Sequence, residues 1–286
     1  MLESMINPTR TEKGPIKMLL VGILYASLSL LLVKLFFSAD PVLYKFAGMI
    51  VVTFCVMFSL PFMYNLIKIE EEEDERIEGF SGIWNMHRDA LFSFMWLFAG
   101  FLIAFSFWYI VLGDQTLLNA QIETYCAINS PGNIDDCVSR FSFDSQSLAT
   151  GSATKQARFL AIISNNVYVM LFTLLFSLIF GAGAIFILAW NASVIAAAIG
   201  VFASYQINQI PLGFLRYMIH GFPEIAAYFI TALAGGIFGV GILRNGIKSG
   251  MFIRLAENTA IMLFISIIIL IFAALIEVYF TPILFN

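Results

Sequence analysis

Charge is scarce in this chain of 286 residues: Asp, Glu, Lys and Arg together make up 12%, where an ordinary soluble domain carries about 25%. Histidine is scarcer still, with only His87 and His220, and no H-E-x-x-H or C-x-x-C spacing occurs. That argues against a metal site or a redox centre, and no cofactor is expected. Basic residues are too few to form a stripe, and the net charge is -4. Nucleic acid is therefore not an expected partner, because binding it requires cations that displace its counterions. The apolar runs contain no G-x-S-x-G and no aspartate pair, so the chain is not expected to be an enzyme.

What is abundant is apolar. Hydrophobic residues make up 60% of the chain, and 30 residues are Phe. Runs of about 20 such residues recur, each long enough to cross a bilayer, where backbone polar groups must bond within their own segment. The expected fold is all-α: a polytopic transmembrane helical bundle of about seven membrane helices with a polar extracytoplasmic loop. The lipid bilayer is its first partner.

Met1 to Lys17 is polar and basic with no small-residue cleavage site, so the run Met18 to Phe37 is read as a retained helix. Its basic flank places the N-terminus in the cytoplasm. Lys34, in the last turn, reads as a snorkelling interfacial lysine. A second helix spans Phe46 to Ile67, with Pro61 as a kink near its exit. The acidic run within Lys68 to Glu78 reads as a solvated cytoplasmic spacer. Phe80 to Arg88, which includes His87, reads as a membrane-surface segment. The third helix is expected at Leu91 to Leu112, followed by a polar stretch, Gly113 to Ala157, without periodicity. There Cys126 and Cys137 flank the turn signal Ser130-Pro131-Gly132-Asn133, and an oxidising outer compartment would pair them in a disulfide. Cys55, inside an apolar run, reads as a small buried hydrophobe.

From Arg158 the chain is apolar to Tyr205, twice the length of one crossing. Gly181 and Gly183 mark the break between helices at Phe159 to Phe180 and Ala184 to Ala203. Asn165 and Asn166 lie in the first and Asn191 in the second, where carboxamides bond across helix interfaces. Tyr205 to Ile219 reads as an amphipathic connector leading to His220-Gly221-Phe222-Pro223-Glu224. Pro followed by Glu is what a helix start favours, so the sixth crossing is placed at Pro223 to Leu243. Gly235 and Gly239 have the spacing of a close-packing face, with Gly236 beside them. Arg244, Lys248 and Arg254 mark a cytoplasmic turn. The seventh helix is Ala260 to Phe280, with Glu277 near the far surface. Three segments result: 1–90, a two-helix hairpin with the acidic loop; 91–157, the third helix and outer loop; and 158–286, the membrane core.

Asn165-Asn166, Gly181, Gly183, Asn191, Gly200 and His220-Gly221-x-x-Glu224 before a glycine-rich helix resemble the signature of the stage II sporulation protein M family. The resemblance covers roughly Phe159 to Leu270. The chain departs from the pattern at Asn191-Ala192, where the family has Asn-Gly, and at Ile219, where it commonly has Pro. The resemblance implies a multi-pass membrane protein without assigned catalysis, whose best-known bacterial members assemble with a partner hydrolase and its activator.

Two functions fit these residues. One is a cell-membrane scaffold that recruits protein partners or forms a homo-oligomer. The other is a small-solute or ion permease whose path is lined by Asn165, Asn166, Asn191, His220 and Glu224. Common to both is the expectation that Glu224 and His220 form one polar cluster with Asn191 and with Asn165 or Asn166.

Overall fold

The computed structural model describes residues 15–74, 80–129, 134–140, 155–180, 185–203, 206–245 and 251–285. Among these, every regular element is helical, and seven helices are long and apolar enough to cross a membrane.

Helix α1 (Pro15–Phe37) opens on a proline, whose missing N–H would have had no partner there. The chain then turns at Asp40, whose Oδ1 accepts the N–H groups of Val42 and Leu43 at 2.9 and 3.0 Å. Helix α2 (Ala47–Asp74) follows, with Pro61 in its interior. It runs past the expected exit at Ile67 and carries the start of the acidic run with it. Glu70 is buried, which corrects the solvated-spacer expectation at that position. Helix α3 (Phe80–Leu112) is also longer than expected, absorbing the segment read as lying on the membrane surface. It stops at Gly113, whose φ of 59° is a left-handed conformation that glycine adopts without penalty.

The stretch expected to lack periodicity begins with two helices, α4 (Asn119–Asn129) and α5 (Ile134–Arg140). Cys126 and Cys137 are joined in a disulfide, with Cα atoms 5.7 Å apart. A small apolar cluster of Leu118, Ile122 and Cys126 seats this cap on Tyr109 of α3 and on Ala197. The cap also grips the start of α2: Asn119 donates to the Lys45 carbonyl at 2.6 Å and Gln121 to the Gly48 carbonyl at 3.0 Å.

The second half comprises α6 (Lys155–Phe180), α7 (Ile185–Phe202), α8 (Ile210–Asn245) and α9 (Met251–Leu275). A π turn (Ile276–Phe280) and a short α10 (Thr281–Leu284) close the chain. Helices α3, α7 and α8 are the most enclosed of the long helices. Helix α1 lies chiefly on α3, and α6 and α9 pack on α8. One hydrophobic core draws on residues from all three expected segments, from Met18 to Leu270.

Candidate functional site

The expected helix start at Pro223 is not a start. Helix α8 begins thirteen residues earlier at Ile210, with Pro211 as its second residue, and most of the expected connector is helix. Pro223 sits in the helix interior, where its ring denies the Ile219 carbonyl its usual N–H. Membrane helices tolerate such a proline because neighbouring helices resatisfy the freed groups. His220 and Glu224 therefore lie one turn apart on a single helix.

Opposite them stands α6. Asn166 Nδ2 donates to Glu224 Oε1 at 2.6 Å, and Asn165 Nδ2 reaches Asn166 Oδ1 at 3.3 Å. Farther along the same pair of helices, Ser177 donates to the Ala232 carbonyl at 2.6 Å. Two glycines of α8 then meet α6 almost backbone to backbone. A Cβ on Gly235 would lie 2.9 Å from Ser177 Cβ and 3.0 Å from the Leu174 carbonyl oxygen, and one on Gly239 would collide with the Leu178 carbonyl. Gly236, on another side of α8, leaves room for Ile67, which a Cβ would approach to 2.9 Å. Gly200 faces the Tyr109 ring and Gly221 faces Met218. Gly181 and Gly183 lie outside the described residues.

The third contributor is the C-terminal segment, which was not expected to take part. His220 Nδ1 lies 3.3 Å from Thr281 Oγ1, whose hydroxyl also lies 3.3 Å from the Ile276 carbonyl. Glu277, expected near the far surface, is half-buried in the π turn and within electrostatic reach of Glu224. Tyr228, one turn beyond Glu224, lies within reach of both carboxyls. Arg158 of α6 acts on Glu277, and Arg216 of α8 acts on His220. A histidine and a glutamate together at the mouth of an apolar run are the signal that points to Glu224. Glu277 carries no such companion in the sequence and stands at the end of the expected seventh helix, which places it near the far surface.

Asn191 is not joined to this cluster. Its Nδ2 donates to the Ile187 carbonyl of its own helix at 2.7 Å, and no bond links it to Glu224 or His220 among the described residues.

Two further polar contacts escaped the sequence. His87, expected at the membrane surface, is 1% exposed, and its Nδ1 lies 2.5 Å from Glu70 Oε2. Lys34, expected to snorkel, pairs with Asp114, which also accepts from Tyr44 at 2.6 Å. Burial works against the Asp114 carboxylate. The bonds from Lys34 and Tyr44, the lysine charge and the Thr116 N–H outweigh it and hold its titration below the usual carboxylate range.

No cluster of three or more His, Cys, Asp or Glu side chains suited to a metal ion occurs among the described residues. A family model described as stage II sporulation protein M matches residues 42–282, well beyond the 159–270 stretch that carries the sequence signature. No curated protein and no solved structure matches the chain.

Proposed function

The chain belongs to the stage II sporulation protein M family, and from that premise we propose that it is a non-enzymatic scaffold of the cell membrane that recruits protein partners. Its N-terminus lies in the cytoplasm and its disulfide-bonded cap outside, as the basic flanks of the first and sixth crossings indicate. The observation that carries this function is the Asn166–Glu224 bond, which shares one helix contact with Ser177, Gly235 and Gly239. Polar groups bonded to each other where two backbones touch fix the geometry of a bundle. A scaffold needs such rigidity to present its surfaces. The cap supplies one such surface.

A small-solute or ion permease is the second function, with one observation in its favour: Glu277 brings a second carboxyl within reach of Glu224. Carboxyls within a membrane bundle are found on proton and ion paths. Affinity purification of the tagged chain from native membranes in mild detergent separates the two. A scaffold brings down a stoichiometric partner. A chain that purifies without one and carries solute across sealed vesicles is a permease.

A further inference from the structure

Helix α6 buries the face that carries Asn166, Met170, Thr173 and Ser177. Its opposite face, formed by Ala161, Ser164, Asn165, Tyr168, Phe172 and Leu175, is exposed. For Tyr168, Phe172 and Leu175 that is unremarkable, since lipid tails suit them. Asn165 does not suit lipid. It lies seven residues inside the span Arg158–Leu178, about 10 Å down the helix at 1.5 Å per residue. One N–H of its amide points to Asn166 Oδ1, while its own Oδ1 and the Ser164 hydroxyl have no partner among the described residues. Thr53, another exposed polar residue within a span, makes a useful contrast because it bonds the Met49 carbonyl of its own helix at 2.9 Å. Asn165 has no such refuge, and an unmet carboxamide in hydrocarbon is expensive.

We propose that this face of α6 is a homodimer interface, occupied by the same face of a second copy of the chain. The chemistry selects the occupant. A carboxamide offers both a donor and an acceptor, so a twofold axis beside Asn165 lets each Oδ1 accept from the other copy's Nδ2. All copies insert in one orientation, so that axis runs along the membrane normal and the two helices pack in parallel. Ala161, one turn before Asn165, and Ser164, its chain neighbour on the exposed side, are both small and allow the backbones to approach. From 161 to 175 the face carries no formal charge; Arg158, two turns before Asn165 on the same stripe, stands at the edge of the span.

The test uses the full chain in native-lipid nanodiscs and in membranes. Cys55 is 0% exposed and stays out of the chemistry. Oxidation should cross-link Asn165→Cys and Tyr168→Cys into dimers and leave Leu24→Cys, on the exposed face of α1, monomeric. Asn165→Leu should weaken dimerisation about tenfold, the size expected for losing a reciprocal pair of interhelical hydrogen bonds. Asn165→Gln should retain most of it, and Asn165→Leu, which also removes the donor to Asn166 Oδ1, should lower the thermal midpoint of the monomer slightly. A wild-type chain that is monomeric in the bilayer overturns the proposal. So do cross-linking through Leu24→Cys as readily as through Asn165→Cys, undiminished dimerisation of Asn165→Leu, and cross-linking of Asn165→Cys to a different protein. Partner recruitment is read separately by the purification, so either conclusion can fail alone.

Discussion

Glu224 is the residue on which the cluster turns, because it accepts the Asn166 amide from across a helix contact. Replacing it with Gln leaves an oxygen in place to accept that bond, and the expected loss is below about 1 kcal/mol. Leu leaves the Asn166 amide without an acceptor, at a cost of about 1–3 kcal/mol. Thermal unfolding should therefore rank wild type first, Glu224→Gln close behind and Glu224→Leu last. If Gln proves as harmful to stability as Leu, the carboxylate charge is holding the helices together and the amide bond is not. Asp114 is expected to show pH dependence. Its folded-state titration is depressed, so the stabilisation it provides is present above the ordinary aspartate range near 3.9 and drains away as pH falls through the folded value. Partial exposure limits the contribution to about 1 kcal/mol. The gap in midpoint between wild type and Asp114→Asn should thus be visible at neutral pH and close in acid. A gap that widens in acid contradicts the assignment.

At the scale of elements, the long apolar runs were legible because a crossing needs about 20 residues whatever its neighbours are. The Cys126–Cys137 pair was legible as well, since two cysteines around a turn leave few alternatives. Other features were hidden for physical reasons. Pro223 followed by Glu224 has the local chemistry of a helix start, and only packing decides that the helix runs through it. Glu70 sits in a run of like charges that reads as solvated, yet His87 arrives from the next helix to pair with it. The crossing of α1 and α3 is also close: a Cβ on Gly22 would lie 3.0 Å from Gly100 Cα. Neither glycine stands out in an apolar run until its partner helix is known. Reducing the cap disulfide, which closes a sequence separation of 11, should cost on the order of 3 kcal/mol in the chain-entropy model. Hydrogen exchange should then rise in 119–140 and stay unchanged in 185–202, because α7 keeps its contacts with α3. Faster exchange throughout α7 would show that the cap supports the bundle and does not merely sit on it.

For the whole molecule, the proposed scaffold requires a packed interior whose polar groups join helices. Ser177 and Thr231 are both 0% exposed and lie along α6 and α8 beyond the Asn166–Glu224 bond. Any solute path through the cluster would have to wet that region. The most direct measurement is labelling of Ser177→Cys and Thr231→Cys by a small membrane-impermeant thiol reagent in sealed vesicles, applied from each side in turn. Glu123→Cys, on the exposed side of the cap, serves as the outer control. A packed scaffold predicts that the control labels from outside and that both interior positions stay unlabelled from either side. Labelling of Ser177→Cys and Thr231→Cys at rates near the control would reveal a water-filled path and contradict the scaffold.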